Sequence, residues 1–212
     1  MHLHSMWSGD STTTPAELAQ AVADTGLDVL CLTDHNNITG ALRLAGSGEL
    51  GCRVVVGEEL RTAAGEIIGL FLTDHLPFGL SPADAVSRIR DQGGLVYVPH
   101  PVDPTRHCLN ADVLRGLAAD GGIDAIEVFN AKSPLASLNR RAAELADELG
   151  LAGGAGSDAH VPDAVGAAFV EMADFTDAAS FLTALRTAAV IGHHADPSRP
   201  WRSRVIPSTT ES

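Results

Sequence analysis

Aromatic side chains are scarce in this chain. Phe, Trp and Tyr make up 4 % of its 212 residues, so the core has to be built from Ala, Val, Leu and Ile. Cysteine is scarce too. Cys31, Cys52 and Cys108 are odd in number and lack CxxC spacing, and they read as reduced thiols packed in the core of a cytoplasmic protein. Bases are outnumbered, 14 against 27 acids, for a formal charge of −13. That argues against general nucleic-acid binding, which needs a basic face. Small phosphorylated substrates remain open, because bound metal ions reverse a local field. No apolar run reaches membrane-spanning length. The N-terminus has no basic region followed by an apolar one, the mark of a signal peptide. Repeats of fixed period and dividing linkers are absent as well.

Apolar residues make up 45 % of the chain and mean hydropathy is +0.10, values of a globular protein with a real core. The pattern alternates. "GLDVLCLTDHNN", "RVVVGEE", "LVYVPHP" and "IDAIEVFNAK" are short apolar runs with polar exits, and read as buried strands. "TPAELAQAVADTG", "SPADAVSRIRDQGG", "NADVLRGLAADGG", "SPLASLNRRAAELADELG" and "TDAASFLTALRTA" have helical spacing between start and stop signals. Strand, polar exit and helix, repeated about seven times, predict an α/β fold with parallel strands. Residues 1–195 read as one catalytic domain. Residues 196–212, rich in Pro, Ser and Arg, read as a surface strap or a disordered end.

The unusual polar residues fall at one place in this pattern. His2 and His4 form or follow the first strand, and Asp34 and His35 end the next. Glu58 and Glu59, His100, Glu127, then Asp158 and His160 all close predicted strands. In a parallel barrel those ends converge on one face, where sites are built. A His-x-His pair in extended chain sends both rings to one side, and "SDAH" repeats that i, i+2 geometry. Alone, His-x-His is more often a surface feature than a ligand pair, but the other strand ends shift the balance. Imidazole with carboxylate suits Zn, Mn or Fe better than Ca or Mg.

"HLHSMWSGDS", "LTDHNN", "GEEL", "VPHP" and "GSDAH", in this order, resemble the motifs of the polymerase and histidinol phosphatase (PHP) superfamily over about residues 1–190. The resemblance implies a distorted (β/α)7 barrel with a site for two or three divalent metal ions (Mn, Zn or Fe) at the carboxyl ends of its strands. It implies a first metal at His2, His4 and Asp158, and Glu59 bridging to a second held by His100. Asp10, His35 and His160 would hold a third. Relatives place a further histidine on the strand after GxE, where "GEIIGLFL" has none; Glu66 is the nearest replacement. Only Met1 precedes the His-x-His pair where relatives carry several residues, so either the first strand is short or the start lies upstream.

Such a centre implies a phosphoesterase: close-set metals bind phosphoryl oxygens, activate water and stabilise the leaving oxygen. The attacking water is expected at Glu59, His35 and His160. Arg106 is the expected phosphate ligand, because its planar guanidinium matches phosphate geometry. Arg61, Lys132 and Asn130 are further substrate candidates. Glu127 is expected to support the site, and Asp34 to orient the segment of His35. Surface roles are expected for His75, His107, His193 and His194, and Glu144, Asp147 and Glu148 read as the exposed face of a helix. The expected substrate is a small phosphate ester, mono- or diester, a nucleotide included, with no membrane partner. Two alternatives stand beside it: an amidohydrolase-like enzyme cutting a non-phosphate bond, and a non-catalytic metal-binding module.

Overall fold

The structure is a computed structural model and describes residues 1–194, so the expectation of a C-terminal strap lies outside the described residues. Helices α1 (Pro15–Thr25), α2 (Thr39–Ser47), α3 (Pro82–Asp91), α4 (Ala111–Ala119), α5 (Ala136–Leu149) and α6 (Ala178–Leu185) alternate with strands. The strands are β1 (Val29–Leu32), β2 (Arg53–Thr62), β3 (Gly65–Leu70), β4 (Leu95–Val98), β5 (Ala125–Asn130), β6 (Ala152–Gly156), β7 (Ala168–Glu171) and β8 (Ala189–Gly192). Four of these six helices begin where side chains satisfy their free amides; α2 and α5 have no side-chain cap. Thr14 and Glu17 form a reciprocal capping box on α1, and Ser81, Asn110 and Asp177 cap α3, α4 and α6.

Strands β1 to β6 form one curled sheet in sequential order. The pairs β1–β2, β4–β5 and β5–β6 are parallel. Crossovers between parallel strands are right-handed, which puts the connecting helices on one face of the sheet. Alternation along β4 shows the two faces: Val96 and Val98 pack with Ile89, Leu114 and Ala146 of the helices, while Leu95 and Tyr97 pack with Phe175 and with Phe181 and Leu185 of α6.

The expectation of seven parallel strand–helix units needs correcting. Strand β3 runs antiparallel between β2 and β4, and β7 and β8 form a separate antiparallel pair. The link between β2 and β3 is too short for a crossover, so the chain turns back as a hairpin. The first strand is reduced to a single parallel bridge, Leu3 to Ala159. Around it, His4 N donates to Ala159 O (2.9 Å), Asp158 N to His2 O (2.8 Å) and Thr33 N to Leu3 O (3.1 Å). Residues 2–4 are thus tied both to the exit of β1 and to the exit of β6. No described helix is long and apolar enough to cross a membrane.

Candidate metal centre

His2 and His4 flank Leu3, which is buried with Leu18, Val22 and Leu32. Extended backbone therefore turns both imidazoles to the opposite side, where they are fully buried. Asp158 and His160 likewise flank Ala159 of the same apolar cluster, with Asp158 left-handed rather than extended. Glu59 lies within β2 rather than at its end, because β2 continues to Thr62 as the hairpin arm; Glu66 comes from the returning arm, β3. Two of the gathered residues have left-handed backbone, His100 (φ 31°) and Asp158 (φ 48°). Continued alternation would aim His100 at the helices with Val96 and Val98. The left-handed turn, held by His100 N donating to Glu127 Oε2 at 2.8 Å, brings its ring inward instead.

All nine expected ligands meet. His2, His4 and Asp158 place one ligand atom each within 4.8 Å of one another, as do His2, Glu59 and His100. The same holds for His4, Asp10, His35 and His160, and for His35, Glu59 and Glu66. Glu59 is the hub: Oε2 lies 3.1 Å from His2 Nε2 and 3.2 Å from both His4 Nε2 and His35 Nδ1, and Oε1 lies 3.2 Å from His100 Nε2. The imidazoles crowd, with the ring of His4 4.4 Å from that of His35 and 4.2 Å from that of His160.

These donors fit divalent metal ions. His2 Nε2 and His4 Nε2 are 3.1 Å apart, while their Nδ1 atoms are engaged by Glu127 Oε1 (3.1 Å) and Ser8 Oγ (3.0 Å). Two imidazole lone pairs then point at one spot, an arrangement that needs a proton or a cation between them. Without metal, the proton falls on His2. Burial opposes its charge, but Glu59, Glu127 and Asp158 outweigh burial and hold its pKa well above the usual histidine value. Burial and the neighbouring His160 push His4 down to about 3, leaving it the neutral ligand form. Burial and the charge of Glu59 raise Glu66 to about 7. Burial disfavours the charge of Asp158, yet His2, Lys132 and Arg106 keep its carboxyl well below the carboxylate range.

The cluster floors a cleft of about 420 Å³ lined by Asp10, His35, Glu59, Glu66, His100, Asp158 and His160 together with Arg61, Arg106, His107 and Lys132. Arg106 Nη2 lies 2.7 Å from Asp158 Oδ2, and Lys132 Nζ 3.5 Å from Asp158 Oδ1. Arg61 is at the rim against His107, which lines the cleft rather than standing on the open surface expected of it. Asn130, expected at the substrate, lies beneath the cleft at 2 % exposure and donates to Glu127 Oε2 (2.8 Å) and Asp158 Oδ2 (3.2 Å). A larger cleft of about 780 Å³, lined by Thr25, Arg53, Glu171 and Phe175 among others, holds none of the nine donors.

Other residues do structural work. Asp34 accepts from the backbone amide and hydroxyl of Ser5, both at 2.6 Å, and so fixes the His-x-His segment; burial raises its carboxyl to about 6. His75 pairs with the buried Glu58 at 3.0 Å on the far side of β2, and His194 stands against Ser133 O and the ring of Phe129. Glu144, Asp147 and Glu148 are exposed on α5, Cys31 is buried, and Cys52 and Cys108 are half-buried. Sequence reading missed Ser8, which holds His4 and the backbone amide of His35, and Asn139 of α5, which bonds the amide (3.0 Å) and carbonyl (3.1 Å) of Asn130. Ser8 lies inside the first motif and was within reach. Asn139 sits in a helix with no motif to signal it.

Residues 1–98 match the PHP domain family, and residues 136–190 the PHP-associated family. The chain belongs to the PHP family. An uncharacterized protein of Methanocaldococcus jannaschii is 37 % identical over 142 residues, 62 % of this chain and 80 % of that protein. Among solved structures, this PHP chain superposes with a TM-score of 0.72 and 21 % identity on a two-domain protein of Bacteroides vulgatus containing a predicted PHP-like metal-dependent phosphoesterase. It covers 91 % of this chain and 63 % of that one. A lesion-specific endonuclease of Pyrococcus furiosus superposes at a TM-score of 0.67 and 15 % identity, over 90 % of this chain and 56 % of that one. Family and donor set together support a metal-dependent hydrolase.

Proposed function

We propose that this PHP protein hydrolyses small phosphate esters with the help of two or three divalent metal ions. One observation carries the reading: nine His, Asp and Glu donors converge, seven of them lining one cleft that Arg106 and Lys132 also line. Metal ions bound by such donors polarise phosphoryl oxygens and bring the pKa of water to about 7. His2, His4 and Asp158 would hold the first, Glu59 and His100 the second with Glu66 beside them, and Asp10, His35 and His160 the third. Glu127 keeps the Nδ1 proton of His2 facing away from the site, so that Nε2 is the ligand. Arg106 and Lys132 bind the oxygens of the substrate phosphate, whose charge they offset. Glu59, His35 and His160 border the place for the attacking water. His35, with 26 % of its side chain exposed, is the cluster's histidine nearest to solvent. With only the first two positions filled, His35 would be free of metal and placed to return a proton to the leaving oxygen.

A cleft of about 420 Å³ has room for a small molecule, and the charge of −13 disfavours a long polyanion. Free thiols at Cys31, Cys52 and Cys108 accord with work in the reducing cytoplasm. The test is His100→Ala assayed on p-nitrophenyl phosphate and bis-p-nitrophenyl phosphate. A fall in kcat/KM of at least about 100-fold is expected. Unchanged turnover contradicts the reading. Turnover of amide substrates alone, with no phosphate ester cut, would point to an amidohydrolase.

A further inference from the structure

The four donor groups differ in chemistry. Three hold at least two imidazoles and one carboxylate each; the group of His35, Glu59 and Glu66 alone holds more carboxylates than imidazoles. Glu66 makes the difference. It is 5 % exposed, and its backbone amide donates to His107 O at 2.8 Å, which fixes the start of β3 over the cluster. Its cross-strand neighbour on β2 is Arg61, the side chain that would ordinarily neutralise it. Arg61 is instead engaged by His107. Among the described residues the nearest basic atom to Glu66 is His100 Nε2, at 3.7 Å. Two carboxylates, Glu59 and Glu66, thus share a buried position with one imidazole between them, His100 Nε2 lying 3.2 Å from Glu59 Oε1 and 3.7 Å from Glu66 Oε2. Such a position favours a bound cation over either charge alone.

Carboxylate oxygens suit Mn and Mg, while imidazole suits Zn and Fe. We infer that Glu66 sets the metal preference of the second position, where it joins Glu59 and His100, so that the centre is mixed: an oxygen-rich position for Mn beside nitrogen-rich positions for Zn or Fe. The inference rests on the metal centre proposed above and says which ion goes where. Zn outbinds Mn at most sites, and selectivity between them comes from donor type. The expected signature is therefore a position where Mn competes at ratios that leave the imidazole-rich positions filled with Zn.

The experiment strips the protein with chelator, then equilibrates it with fixed Zn and rising Mn. Bound metals are counted by elemental analysis, and bound Mn is followed by its electron paramagnetic resonance. Wild type should exchange about one equivalent of metal for Mn while Zn stays at the other positions. Glu66→His, which swaps oxygen for nitrogen, should raise the Mn:Zn ratio needed for half exchange at least about tenfold. Glu66→Asp, which keeps the carboxylate, should still take up Mn, and circular dichroism confirms that both variants fold. All positions exchanging together, an unchanged ratio in Glu66→His, or less than one bound ion in wild type would overturn the inference. Assays on the same samples keep the two proposals apart. Mixed metals without phosphate-ester hydrolysis would remove the activity and leave the mixed centre standing. Hydrolysis with an unchanged exchange ratio would do the reverse.

Discussion

At Gly156 an added Cβ would lie 2.0 Å from Glu127 Oε1 and 2.5 Å from His2 Cβ. The glycine is what lets Glu127 reach under His2. Gly156→Ala is therefore expected to cost about 1–3 kcal/mol in chemical denaturation, the range for overpacking a full site. It should also weaken metal retention, because Glu127 could no longer hold Nδ1 of His2; dialysis followed by elemental analysis reads this. Full stability with full metal content would show that the packing here is looser than described. Asn139 offers a second test at this scale. Asn139→Ala leaves the buried Asn130 backbone without both of its partners on α5, at an expected cost of about 1–3 kcal/mol. Eight of the nine donors were legible as residues because each sits in a short motif of rare side chains; Glu66 was reached only as the nearest replacement for a histidine that "GEIIGLFL" lacks. Glu127 was legible only as a strand-end acid, and Asn139 not at all, since a helix interior gives no sign of which carbonyl an amide will meet.

Among the elements, five of the six helices were legible; α2, which no side chain caps, was not. Capping residues are local signals, and Thr14–Glu17, Ser81, Asn110 and Asp177 stand where the helices begin. Thr14→Ala removes the cap of α1, whose side-chain hydrogen bonds run to Glu17 and not to the nine donors. It should cost about 1 kcal/mol and lower Tm by roughly 2–4 °C, with kcat/KM on a phosphate ester unchanged. Strand direction was not legible. Alternation in "GEIIGL" says that β3 is a strand but not which way it runs, and the turn that decides it is a contact made by the folded chain. Gly65 at that turn has φ 131° and stands so close to Leu109 that a Cβ would lie 2.4 Å from its Cα. The loop bearing Arg106 and His107 crosses there. The antiparallel turn has a functional result: it returns the chain to the same end of the sheet and delivers Glu66 beside Glu59.

The whole molecule spends buried volume on charge. Asp34, Glu58, Glu59, Glu66, Asp103, Glu127 and Asp158 are all buried, a load that a chain with few bases offsets only in part. Metal binding would offset much of the rest, because ions that bind the folded state and not the unfolded one stabilise it by mass action. Removing metal with a chelator is expected to lower Tm by roughly 8–16 °C, the equivalent of about 4 kcal/mol at thousandfold saturation. Returning Mn or Zn should restore it. The composition already carried this at the coarsest level: an acidic chain with nine histidines and few aromatic residues. Which acids would be buried followed from the fold and not from the count.

The most direct test of the central claim is metal content by elemental analysis on protein purified without added metal, with both nitrophenyl esters assayed on the same sample. Two or three bound Mn, Fe or Zn ions per chain, together with hydrolysis of one ester, is the predicted result. Less than one ion per chain, with no activity restored by added Mn, would contradict it.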